Sequence, residues 1–96
     1  MTVYVVAQLK FTRRELYDRY QARFAEVFGR FDGRVLVADE HPRVLEGEWP
    51  RDKIVILEFP DAAAATAFHE SPDYATIAVD SRAGAEAVVL MARGVR

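Results

Sequence analysis

The chain has 96 residues, enough for one domain and too few for two. It is 51% hydrophobic and 29% charged, a composition typical of globular proteins rather than disordered or fibrous ones. Its net charge is −2, and acidic and basic residues are mixed along the chain, which gives no electrostatic basis for binding nucleic acid or an anionic membrane. We expect one globular domain over residues 1–96.

Cysteine is absent, which excludes disulfides and thiolate chemistry and suits a reducing compartment. The opening stretch MTVYVVAQLKF has no basic region before its short apolar run, unlike a signal peptide. No segment approaches the roughly 20 apolar residues that cross a membrane. We therefore expect a cytoplasmic protein without a membrane partner.

The first half of the chain predicts a strand, a helix and a second strand. Residues 2–11 alternate with the period of a β-strand. Thr12 and Glu15, in TRRE, match a capping box at a helix start. The turn at Asp32-Gly33 leads into the second strand. Between the capping box and this turn, apolar side chains recur at helical spacing: Leu16, Tyr17, Tyr20, Phe24, Val27 and Phe28.

The second half predicts a strand, a broken helical stretch and a last strand. Residues 53–59 form the third strand, and Asp61 caps an alanine-rich helix. Ser71 caps a further helix with a proline at its first position, where the missing N–H costs nothing. Residues 85–92 form the fourth strand.

The order β-α-β-β-α-β is that of the α+β, ferredoxin-like arrangement, a four-stranded antiparallel sheet with its helices on one face. The alanines at 62–65 and 67 suggest that the second helical stretch lies close to the sheet, with Phe68 as its bulky anchor. The alternative is that alanine is simply a good helix former.

Both faces of this sheet are apolar, although helices can cover only one. In the first strand Val3 and Val5 oppose Tyr4 and Val6, and the third and fourth strands repeat the pattern. A sheet with one solvated face should instead alternate apolar with polar side chains. Each large apolar side chain contributes about 1.5–3 kcal/mol when fully buried. We therefore expect a homodimer that packs sheet to sheet through the helix-free faces.

Several stretches of the chain resemble one known family. They are YDRY in the first helix, GRVLV in the second strand, LEGEWP before the following turn, VILEFPD and SPDY, with Arg82 eight residues after the last tyrosine. In this order they resemble the DUF1330 family of uncharacterised small domains, over about residues 3–93.

The resemblance implies a ferredoxin-like protomer and a two-fold dimer whose sheets form a dimeric α+β barrel. It implies no established activity. The wider superfamily includes antibiotic-biosynthesis monooxygenases, haem-degrading monooxygenases, muconolactone isomerases and stress-responsive proteins, so the architecture alone assigns no reaction.

Glu58 is the first candidate catalytic residue. It lies between two apolar residues and shares a face with Ile54 and Ile56. A carboxylate in that setting needs a partner or a raised pKa, which would suit a general base. The alternative is a structural ion pair with Arg34 or Arg82.

Tyr74 and Arg82 complete the candidate catalytic set. With Ala78 they fall at i, i+4 and i+8, on one stripe of the last helix. Arg82 could hold a carboxylate or enolate oxygen while Tyr74 donates a hydrogen bond or proton. The alternative is a tyrosine packed at the helix–sheet seam and an arginine paired with Glu58 or Asp73.

Four further residues are candidates for ligand binding. Tyr20 is a core residue by spacing whose hydroxyl could reach a cavity, and Arg34 could line a pocket mouth. Gly47 predicts a β-bulge that would re-aim Glu46 and Trp49, the latter equally suited to a dimer contact.

The sequence predicts neither a metal nor a cofactor. His41 and His69 are isolated, cysteine is absent, and no nucleotide-binding or nucleophile-elbow motif occurs. Two hypotheses follow. One is a cofactor-free pocket for proton-transfer, isomerase or monooxygenase-like chemistry on a small acid or carbonyl compound. The other is a non-catalytic ligand-binding or stress-related dimer.

Overall fold

A computed structural model describes residues 1–96 as one antiparallel sheet with three helices on one face. The sheet order is β2-β3-β1-β4, which is the order of the predicted ferredoxin-like arrangement. The elements are β1 (Val3–Phe11), α1 (Arg14–Phe28), β2 (Arg34–Asp39), β3 (Lys53–Phe59), α2 (Ala62–His69), α3 (Pro72–Gly84) and β4 (Ala85–Arg93).

The helices cover the sheet face to which odd-numbered residues of β1 and β3 point. On that face Val5 and Leu57 are register partners, and both are buried. The even-numbered residues of the same strands point to the other face, and none of them is buried. One apolar face of the sheet is therefore the core of the domain, and the second has no cover within the chain.

The helices leave β4 uncovered even on their own side of the sheet. Val89 and Met91 point to the helix face, because they pair with Ala7 and Val5, yet they are 45% and 47% exposed. The helix layer is thus narrower than the sheet. The helix-side face of β4, with Val89 and Met91, therefore stays apolar and exposed beside α2 and α3.

The start of α1 differs from the predicted capping box. The N-cap is Arg13, which makes no side-chain cap bond. The backbone N–H groups of Thr12 and Arg13 both donate to the carbonyl of Gly84, at 3.0 Å. Glu15 pairs with the Arg13 side chain instead. A contact from the far end of α3 therefore replaces the local cap.

The break between α2 and α3 is as predicted. The Asp61 carboxylate accepts the N–H of Ala64 at 2.8 Å, and the Ser71 hydroxyl accepts that of Tyr74 at 3.1 Å. Of the alanines in α2 only Ala65 is fully buried, beside Phe68. Close packing on the sheet thus accounts for one alanine, and helix propensity accounts for those that are exposed.

The predicted bulge lies in a different place. The register of β2 against β3 shifts between Val35 and Val37, so the irregular residue is Leu36. Gly47 lies outside the sheet, in the connection between β2 and β3, where its φ of 80° is one that glycine adopts readily.

Candidate functional site

The predicted stripe on α3 faces a cavity. Tyr74, Ala78 and Arg82 all line one cavity of about 330 Å³, between α3 and the exposed helix-side face of β4. Ser81 and His69 also line this cavity, and so does the apolar side chain of Val89. The size is within the range of small-ligand pockets.

Arg82 is the cation of this cavity, and its guanidinium has no carboxylate partner. Neither expected partner reaches it. Asp73 pairs with Arg30 at 2.8 Å, and Glu58 pairs with Arg34. A free guanidinium that lines a partly apolar cavity suits recognition of a carboxylate or another oxyanion.

Tyr20 of α1 and Tyr74 of α3 meet beside this cavity. Their hydroxyls are 3.3 Å apart, and Tyr20 is 9% exposed. Burial, reinforced by Tyr74, strongly raises the pKa of Tyr20, so its phenol stays protonated and can donate a hydrogen bond. Both side chains line a smaller void of about 60 Å³ between the helices and the sheet.

His69 is the side chain that the sequence did not single out for this site. It ends α2, its ring lies 5.4 Å from that of Tyr74, and it lines the 330 Å³ cavity, the inner void and an adjoining cavity of about 250 Å³. Its position depends on the angle between α2 and α3, which no local motif encodes. The Ser71 cap was the only available signal that α2 ends there.

Glu58 does not join this group. It pairs with Arg34 across β3 and β2 on the helix-free face, and its carboxylate accepts both the Nε and Nη2 hydrogens of that arginine. The ion-pair alternative is therefore the one that the structure contains. The predicted convergence of Glu58 with Arg82 and Tyr74 does not occur within one chain, because the two groups lie on opposite faces of the sheet.

The remaining ligand-binding candidates also lie away from the helix-side cavity. Arg34 and Glu58 line a separate polar depression of about 350 Å³. Trp49 donates its indole N–H to Gln8 at 3.1 Å, which holds the β2–β3 connection over the helix-free face. Glu46 is exposed in that connection. Their roles in binding remain predictions.

The polar side chains that line the cavity are those of His69, Tyr74, Ser81 and Arg82. No group of three histidine or acidic side chains is placed to hold an ion. None of the helices is long and apolar enough to cross a membrane.

Solved structures of similar fold cover almost the whole chain. A protein of unknown function from Rhodopseudomonas palustris has a TM-score of 0.82 at 18% identity, over 99% of this chain and 83% of its own. SnoaB, a cofactor-independent oxygenase from Streptomyces nogalater, has a TM-score of 0.72 at 17% identity, over 99% and 94%.

A third similar structure is a dimeric ferredoxin-like protein of unknown function from Jannaschia sp. CCS1, with a TM-score of 0.73 at 15% identity, over 98% of this chain and 100% of its own. At these identities the likeness shows the fold alone, which is ferredoxin-like. No curated protein matches the sequence. Residues 2–95 match the family described as a domain of unknown function (DUF1330), and the chain belongs to that family.

Proposed function

We propose that the cavity between α3 and β4 binds a small, partly apolar acid or carbonyl compound. The observation that carries the proposal is that Arg82, with no carboxylate partner, lines the same cavity as Tyr74 and His69. Arg82 would hold the oxyanion of the ligand, and Val89 would contact its apolar part. This division, an apolar wall with a few convergent polar groups, is typical of small-molecule sites.

The same arrangement supports cofactor-free proton transfer as the chemistry of the site. His69 replaces Glu58 as the proposed base, because histidine is the commonest general base and this one lies in the cavity. A carbanion formed beside Arg82 would be stabilised as an enolate, with Tyr74 as hydrogen-bond donor. Isomerisation or reaction with oxygen could follow. That the same fold serves the cofactor-independent oxygenase SnoaB supports this class of chemistry.

We also propose that the working unit is a homodimer closed through the helix-free faces. Six apolar side chains of that face are left partly or largely exposed in a single chain: Tyr4, Val6, Ile54, Ile56, Val88 and Leu90. Packing them against a second copy would form the barrel and leave the helix-side cavities open on the outside. The dimeric neighbour from Jannaschia supports this assembly.

Thermal denaturation with added ligands tests the pocket. Benzoate, salicylate and phenylpyruvate serve as probes of small aromatic and keto acids. At 100 times the dissociation constant a ligand stabilises the folded state by about 2.7 kcal/mol. For a domain of this size, each 1 kcal/mol corresponds to about 4–8 °C. We expect at least one acid to raise the Tm of the wild type, and Arg82→Ala to abolish that rise.

Arg43→Ala is the matched control, because Arg43 is exposed in the β2–β3 connection, away from the cavity. It should retain the full ligand-induced rise. Stabilisation that is the same in Arg82→Ala and in wild type would contradict the site. His69→Ala separates catalysis from binding. If wild type and His69→Ala both bind the ligand and neither converts it, the non-catalytic hypothesis holds.

A further inference from the structure

A further cavity, between α1 and β2, contains the one buried basic side chain of the protein. The chain has 13 lysine and arginine residues, and only Lys10 and Lys53 are lysines. Lys53 is 4% exposed, whereas Lys10 and nearly every arginine are exposed. A chain that otherwise prefers arginine thus has lysine at its only buried basic position. Lysine is the basic residue that readily loses its proton when buried.

The surroundings of the Lys53 amine leave its charge incompletely balanced. Its only hydrogen bond is to the neutral amide oxygen of Gln21, at 3.0 Å. Glu40 is 4.0 Å away, and both of its carboxylate oxygens already accept hydrogen bonds from Arg14, at 2.8 Å. The ring of Tyr17 lies 5.0 Å from the amine. Burial lowers the pKa of Lys53, and Glu40 only partly opposes this effect.

The cavity that Lys53 lines has a volume of about 120 Å³ and lies between α1 and β2. Its outer rim includes Gln21, Val35 and Ala38, all of which are exposed, so small molecules can enter. Apart from Lys53 and Gln21 its walls are apolar or aromatic: Tyr17, Tyr20, Phe24, Val35, Ala38 and Val55. A compact neutral molecule fits such a space better than a charged one.

We propose that Lys53 is a nucleophilic amine that forms an imine with short, neutral aldehydes or ketones bound in this cavity. The neutral Nζ attacks the carbonyl carbon to give a carbinolamine. The C–O bond then breaks and water leaves, so the carbonyl compound and the amine become an imine and water without any oxidant or reductant. The proton that the ammonium must first release passes to solvent at the rim.

This site is distinct from the Arg82 cavity and does not depend on it. The two cavities share no residue, and the side chains of Tyr17, Tyr20 and Phe24 lie between them, lining the inner void on one side and the Lys53 cavity on the other. The sequence gives no signal for this site, because Lys53 follows a turn and opens a strand like many surface lysines.

Reductive trapping tests the proposal, with Lys10 of the same molecule as the reference. The folded protein is treated with butanal and sodium cyanoborohydride, and alkylation of each lysine is followed by peptide mapping. We expect Lys53 to be alkylated several-fold faster than Lys10 at neutral pH. In urea-unfolded protein the two lysines should react at similar rates. Faster alkylation of Lys10 than of Lys53 in the folded protein would overturn the proposal, since that is the order expected for a merely buried lysine.

Val35→Trp tests whether the cavity itself is required. Val35 is 49% exposed at the rim, so the larger side chain can be accommodated while it obstructs the entrance. We expect it to lower the rate at Lys53 and leave the rate at Lys10 unchanged. An unchanged rate at Lys53 would show that butanal does not reach the amine through this cavity and would contradict the site.

Discussion

The hydroxyls of Tyr20 and Tyr74 meet at 3.3 Å, one from the middle of α1 and the other from the first turn of α3. This is the one hydrogen bond between tyrosines in the domain, and it lies where the inner void meets the proposed ligand cavity. It therefore couples the packing of the two helices to the shape of the site.

A double-mutant cycle measures that coupling. Tyr20→Phe and Tyr74→Phe each remove one hydroxyl, and each should lower the free energy of unfolding by about 0.5–1.5 kcal/mol. The double variant should cost about 1 kcal/mol less than the sum of the two single variants, because the shared bond is lost only once. Urea denaturation of the four proteins gives the values. Strict additivity would show that the bond contributes nothing.

The buried tyrosines predict a loss of stability at alkaline pH. Burial raises the pKa of Tyr17 to about 12, against about 10 for an unfolded tyrosine. The folded state thus holds the proton that the unfolded state releases. The stability from this group is complete below pH 10 and is lost as pH rises towards 12. Tyrosinate absorbance and circular dichroism, recorded together, should show part of the tyrosine titration coinciding with unfolding; full titration of a still-folded protein would contradict this.

Lys53 predicts a pH effect of the opposite sign. Because burial lowers its pKa, the unfolded state binds more protons than the folded state just below the ordinary lysine pKa of about 10.5. The lysine therefore costs stability at neutral pH, and the cost declines as pH rises towards that value. Lys53→Met should be at least as stable as wild type at pH 7, with its advantage shrinking at higher pH. A variant that is clearly less stable at pH 7 would mean that Glu40 stabilises a charged lysine.

Gly84 predicts a severe effect from the smallest possible substitution. A Cβ there would lie 2.5 Å from the backbone N of Tyr17 and 2.8 Å from the carbonyl O of Arg13. These are backbone atoms of α1, which cannot yield as a flexible side chain can. Gly84→Ala should lower the free energy of unfolding by about 2 kcal/mol, within the usual range for overpacking.

Gly29→Ala is the matched control, since its nearest contact is with the carbonyl O of Ala25 at 3.1 Å, in its own preceding turn. It should change stability by less than half as much. Equal effects at the two glycines would show that the α1–α3 contact tolerates a methyl group.

The elements of this fold could be predicted from short patterns, whereas their long-range contacts could not. Ser71 followed by proline predicted the start of α3, and the structure has that cap. Thr12 and Glu15 matched a capping box equally well, but the amides at this helix start are taken by Gly84, which is distant in sequence. A local motif cannot reveal a competing partner of that kind.

The candidate site shows the same division between local and long-range information. The spacing of Tyr74 and Arg82 correctly placed them on one stripe of α3, and both line one cavity. The two-residue period of β3 also placed Glu58 on the face of Ile56. Because both faces are apolar, the sequence could not tell which one the helices cover. The prediction therefore placed Glu58 with Arg82 and Tyr74, which lie on the other side of the sheet.

The homodimer requires that the helix-free face is buried against a second copy of the chain. Sedimentation velocity at micromolar concentration tests it on wild type, Ile56→Glu and Val79→Glu. Ile56 lies in the middle of the uncovered face, and Val79, 63% exposed on α3, is the matched control. We predict a two-chain species for wild type and Val79→Glu and a single-chain species for Ile56→Glu. A folded wild type that sediments as one chain would contradict the homodimer.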